Sequence, residues 1–180
     1  MLEILIPPNE IYIPGQNKFI NVPSCVLTLE HSLMSIAKWE SKWHIPYLNA
    51  TKRSSEQEID YIRCMTVGPI KNEYAFSVLS PENIAQIREY IDNKMTATII
   101  SSKKPCSTSK KVVTAENIYC RMFANNIPLE CQKWHLNRLL TLIRVCDIES
   151  GPHSKMTKQQ TAMHYAEQNA LRRAKYNTRG

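Results

Sequence analysis

Two tryptophan-bearing apolar stripes constrain this chain more than any other feature. In residues 29–48, LEHSLMSIAKWESKWHIPYL, the side chains of Leu29, Leu33, Ile36 and Trp43 recur at helical spacing, while Glu30, Lys38 and Lys42 can face water. In residues 130–146, ECQKWHLNRLLTLIRVC, which follow Pro128 and Leu129, the apolar Leu129, Leu136, Leu140 and Ile143 share one side and Lys133, Asn137 and Thr141 the other. Each stripe must bury one face. A chain of 180 residues can do so around its own core without help from disulfides or metals. Thr28 is the expected cap of the first helix, Leu29 to about Trp43, and Pro46 its end.

The intervening sequence is punctuated at helical intervals. Ser54 and Gln57 form a capping box ahead of Ile59, Ile62 and Met65, and Gly68-Pro69 closes that element. Ser80, Pro81 and Glu82 supply a cap, a first-turn proline and a first-turn acid for a helix burying Ile84, Ile87 and Ile91. Thr114 opens another, through about Asn125. Ahead of the helices, short β-branched runs at 3–6, 11–13 and 19–22 are separated by Pro7-Pro8 and Pro14-Gly15, a pattern of small strands or an extended arm. Thr96–Ile100 and Lys111–Val113 favour strands joined by a Ser- and Lys-rich segment, hence a possible β-hairpin at 95–114. After Gly151-Pro152, Thr157 and Gln160 cap a final helix to about Tyr176. Its apolar side, Met163, Ala166, Ala170, Leu171 and Ala174, buries little area, so a partner would be needed to order it fully. The expectation is a mainly α (α+β) fold: an extended or β arm at 1–27, a helical core domain at 28–150 and a basic C-terminal helix or tail at 151–180.

Reactive chemistry is hard to find. The six cysteines are scattered with no Cys-x-x-Cys, which suits free thiols better than a disulfide scaffold. Cys131 and His135 sit one helical turn apart, but no close pair supplies the remaining ligands of a structural zinc, and neither a metal nor a cofactor is expected. Glu56, Glu58 and Asp60 lie where acids meet a helix dipole. The four glycines are isolated, without a P-loop or dinucleotide fingerprint. These features point away from an enzyme. Of the net charge of +7, residues 151–180 carry +5, through Arg172, Arg173 and other basic residues against Glu167 alone. Such a tail suits nucleic acid, an acidic surface or an acidic protein equally. Trp39, Trp43, Tyr47 and Trp134 beside Lys38, Lys42 and Lys133 could stack bases, yet rings within apolar helical stripes are more often core or protein interface. Nothing approaches the roughly 20 apolar residues of a membrane span, and Leu2–Ile6, broken by Glu3 and followed by Pro7-Pro8, lacks the order of an export signal.

The two tryptophan blocks, together with the closing residues 169–180, NALRRAKYNTRG, resemble a family of tailed-bacteriophage proteins from phages of Gram-positive bacteria, the tail assembly chaperones. The resemblance runs from about Thr28 to the C-terminus. It implies a non-enzymatic protein of the host cell cytoplasm that binds the phage tape measure protein while tail-tube subunits assemble, and then leaves. A tape measure is a very long helical chain whose apolar stripes aggregate unless covered. The expected client groove lies between the Leu33–Tyr47 and Leu129–Ile143 helices, with Trp39, Trp43, Tyr47 and Trp134 as anchors beside Leu136 and Leu140. The competing reading places all three tryptophans in the core. Arg172 and Arg173 of the tail would serve client contact or self-association. Two rivals stay open: a virion component such as a head-tail connector or tail terminator, and a phage nucleic-acid-binding regulator acting through the basic tail.

Overall fold

The computed structural model describes residues 1–15, 17–70, 72–100 and 112–150, together with Met163, Tyr165, Ala166, Gln168, Asn169, Arg172 and Arg173. The architecture is mainly helical, α+β. Four strands come first, β1 (Leu2–Ile6), β2 (Asn9–Ile13), β3 (Lys18–Val22) and β4 (Cys25–Leu29), followed by α1 (Leu33–Trp43), α2 (Ser55–Met65), α3 (Pro81–Asp92), α4 (Ala115–Ala124) and α5 (Leu136–Ser150). Short 3-10 turns occupy Tyr47–Asn49, Glu73–Val78 and Leu129–Lys133. Residues Met1–Cys146 form one compact unit and Asp147–Gly180 a second. No helix among the described residues is long and apolar enough to cross a membrane.

The first 27 residues belong to the same compact unit as the helices. Strand β1 pairs antiparallel with β4, Leu2 opposite Leu29 and Ile4 opposite Leu27, and the alternation turns Ile4, Ile6, Leu27 and Leu29 into the core. Each such side chain contributes about 1.5–3 kcal/mol of burial. That is ample to hold a two-stranded ribbon which would be marginal alone. Beyond β4 the ladder continues onto the segment leaving α2, where the Glu30 amide donates to the Met65 carbonyl (2.9 Å) and the Val67 amide to the Thr28 carbonyl (2.8 Å). Strands β2 and β3 form a separate hairpin in which Tyr12 faces Phe19, ring centroids 5.0 Å apart.

Helix boundaries follow the caps. The Ser54 side chain accepts the Gln57 amide while the Gln57 side chain accepts the Ser54 amide, and α2 then ends in a turn where Gly68 takes φ +92°. The Ser80 hydroxyl accepts the Asn83 amide with Pro81 in the first turn, and the Asn117 side chain accepts the Thr114 amide at the start of α4. The first tryptophan helix differs from expectation. It starts at Leu33, because the Ser32 hydroxyl caps it and Leu29 is claimed by the strand, and it ends before Pro46, where His44 adopts a left-handed φ of 55°.

The second block also differs. Leu129–Lys133 is a 3-10 turn, Trp134 is extended, and α5 begins only at Leu136, whose amide donates to the His31 carbonyl at 2.7 Å. That tertiary bond breaks the continuous helix and leaves Leu129 exposed. The possible hairpin at 95–114 is absent among the described residues: Thr96–Ile100 and Val112–Val113 form no strand. Local bonds compete there, since the Asn93 side chain accepts the Met95 amide, the Thr96 hydroxyl accepts the Thr98 amide, and the Val113 amide is claimed by Asn49. Residues 101–111 lie outside the described residues, as does the cap of the final helix at Thr157. Met163, Tyr165, Ala166, Gln168, Asn169, Arg172 and Arg173 are helical and exposed.

Candidate binding cleft

The expected groove between the two tryptophan blocks is a closed junction. Residues Ser32 and His135 form a β-bridge, and Trp39 and Leu136 are sealed in one core, at 0% and 1% exposure. The Trp39 indole donates to the Gln57 carbonyl at 3.0 Å and meets Tyr47 edge-on at 5.3 Å. Neither side chain can anchor a client without unfolding. Trp43 is half-buried and donates to the Asp60 carboxylate at 2.9 Å. Trp134 is half-buried under the Arg138 guanidinium, 4.1 Å from its ring. Leu140 lines a separate depression with Lys94, Thr98 and Arg144. Much of the apolar periodicity of these segments is core periodicity, since Leu33, Ile36, Trp39, Leu136 and Ile143 are buried in one cluster.

An open cleft lies instead between α2 and α3. It has a volume of about 240 Å³ and is lined by Tyr47, Tyr61, Ile62, Ile84, Ile87 and Ile91, with Arg53, Glu58, Arg88 and Asp92 around it. Of the side chains expected to bind a partner, Tyr47 is the one that reaches it. The stripe on α3 is wider than the core requires: Ile87 is fully buried, whereas Ile84 and Ile91 are half-buried and complete the apolar lining. The α2 stripe contributes Ile62, which is buried like Ile87 and forms part of the cleft wall. Glu58 is a first-turn acid of α2 that also holds Arg88 at 2.9 Å. Arg53 had no sequence signal at all; it precedes a cap residue and belongs to no periodic pattern.

Below the cleft is a buried polar layer. Tyr61 stacks on Tyr47 with centroids 4.0 Å apart, and its hydroxyl is hydrogen-bonded to His31 Nδ1 at 2.5 Å. The His31 ring meets His135 at 5.1 Å, and His135 donates from Nε2 to the Tyr90 carbonyl while its Nδ1 accepts the Asn137 amide. Burial, with the neighbouring His135 and Arg53, lowers the His31 pKa to about 3, so the ring is neutral at physiological pH. Burial likewise lowers His135. Burial raises Tyr47 to about 12 and pushes Tyr61 well above the ordinary phenol range, so both stay protonated. The layer is polar, satisfied and sealed, which suits a rigid floor better than proton transfer to a bound molecule.

On the far side of α1 the buried Glu40 carboxylate accepts the Tyr47 amide (2.7 Å) and the Ala115 amide (2.8 Å), fixing the Tyr47 turn and the first turn of α4. Asp60 receives Lys42 and Trp43. Burial raises its carboxyl, but those two hydrogen bonds and the charges of Lys42 and Arg63 outweigh it and hold the group below the ordinary carboxylate range. Among the described residues no group of three or more His, Cys, Asp or Glu side chains could hold a metal ion, and the five described cysteines are free thiols. No protein-family model, curated protein or solved structure matches the chain.

Proposed function

We propose that this protein is a tail assembly chaperone that covers an amphipathic helix of the phage tape measure protein, and that the α2–α3 cleft is where that helix docks. The observation that carries the reading is the cleft itself: the half-buried Ile84 and Ile91 of α3 face the buried Ile62 of α2, framed by charge, over a rigid aromatic floor. At about 240 Å³ it falls below the roughly 300–1,000 Å³ typical of small-molecule and cofactor sites. It suits one or two anchoring side chains of a helix laid along the surface, in the manner of helix-in-groove recognition. The resemblance of the tryptophan blocks to tail assembly chaperones supports the same class of partner, and Arg172 and Arg173, exposed on a helix, suit a secondary contact.

Co-expression with the tape measure protein of the same phage, followed by affinity capture and size-exclusion chromatography with light scattering, tests the proposal. A soluble complex that persists at high salt, and that Ile84→Glu abolishes, is expected. A tape measure that precipitates while this chain elutes alone overturns it, and a closed ring in the same trace favours a connector or tail terminator.

A further inference from the structure

Arg53 is the cation at the cleft that no carboxylate of the described residues pairs. Arg88 is held by Glu58. Arg53, by contrast, makes one hydrogen bond, from Nη2 to the Tyr47 carbonyl at 2.8 Å, and no ion pair among the described residues; its Nε is buried without a partner. The guanidinium lies 3.9 Å from the centre of the Tyr47 ring, so stacking and the carbonyl together fix its plane. With Nε buried and one Nη2 hydrogen given to Tyr47, an arginine held in this way has its remaining Nη hydrogens to offer a carboxylate, and little side-chain entropy remains to be lost on binding.

From this geometry we infer that the cleft selects a client helix bearing an acidic side chain one turn from its aliphatic anchor, with Arg53 as the residue that reads the acid. The inference rests on the cleft being the client site. The anchor enters among Ile62, Ile84 and Ile91. A cavity of about 240 Å³ is on the order of 6 Å across, which matches the spacing of side chains three or four positions apart on a helix. A client without the acid would cover a cation and leave it unpaired, which is costly in an apolar surround. Asp92 lies on the same lining, near enough to Tyr47 for its charge to act on that hydroxyl, and forms no ion pair among the described residues.

Three amphipathic leucine-based helical peptides, identical except for Glu, Gln or Lys one turn from the central leucine, test this by fluorescence anisotropy against the full chain. The native protein should bind the Glu peptide about tenfold more tightly than the Lys peptide, the scale of one charge-assisted pair. Arg53→Gln, which keeps an N–H for the Tyr47 carbonyl, should erase the order, and Arg53→Glu should reverse it. A matching thermal midpoint for R53Q and native protein shows that the loss is one of recognition. Equal binding of all three peptides, with I84E abolishing each, overturns the acid preference and leaves the cleft as client site. Binding that I84E leaves untouched overturns both.

Discussion

The carboxylate of Glu40 on α1 accepts the backbone amide of Ala115, the first residue of α4, at 2.8 Å across 75 positions of sequence. Its other oxygen accepts the Tyr47 amide. One side chain thus joins α1, the turn that carries the cleft's aromatic floor, and the helix α4.

Replacing Glu40 by Ala should leave both amides without an acceptor in a buried setting. Each costs about 1–3 kcal/mol, so the unfolding free energy should fall by about 3 kcal/mol in denaturant titration. A loss below 1 kcal/mol would mean that the amides find other partners.

The tryptophans should separate by burial. Trp39→Ala removes a ring that is 0% exposed and should cost about 3–5 kcal/mol. Trp43→Phe keeps most of the ring, loses the bond to Asp60, and should cost about 1 kcal/mol. Neither residue lines the cleft, so capture of the client by W43F should match the native protein.

Acid should destabilise the fold through His31. Its folded pKa of about 3 lies below the ordinary 6.5, so between those values the unfolded chain binds the extra proton. The stability from keeping His31 neutral is complete above pH 6.5 and is lost as pH falls toward the folded value. One proton limits the slope to about 1.4 kcal/mol per pH unit. Stability measured across this range should fall less steeply in His31→Gln, and an unchanged slope would shift the acid sensitivity to other groups.

Asp60 acts in a lower window. Its folded pKa lies below 3.8, so the stabilisation is present above 3.8 and is lost as pH falls through the folded value. Asp60→Asn should therefore narrow its stability gap to the native protein on acidification. A gap constant with pH would show that the Lys42 and Trp43 bonds do not depend on the charge.

Disrupting the cleft should separate binding from folding. Ile84 is half-buried on α3, and Ile84→Glu should weaken client binding by more than about 2 kcal/mol, the scale of a central anchor. The thermal midpoint should stay near that of the native protein. A collapse of the midpoint would assign Ile84 to the core.

The sequence by itself determined the local events. Ser54 with Gln57, Ser80 with Pro81, and Thr114 mark helix starts because capping is settled within four residues, and the aliphatic spacing of α2 and α3 is visible for the same reason. Tertiary structure decided whatever depends on competition between distant groups. Leu29 fits a helical stripe as well as a strand, and Leu2 claimed it for the strand. Trp134 fits a continuous helix until the His31 carbonyl takes the Leu136 amide. Periodicity cannot distinguish a stripe that meets another stripe from one that is left open to solvent, because both are apolar on one face. Hence Trp39, which the sequence offers to a groove and to the core alike, is core, as is Leu136, while Ile84 and Ile91, placed by sequence in the core, line the cleft beside an arginine that no periodic pattern marks.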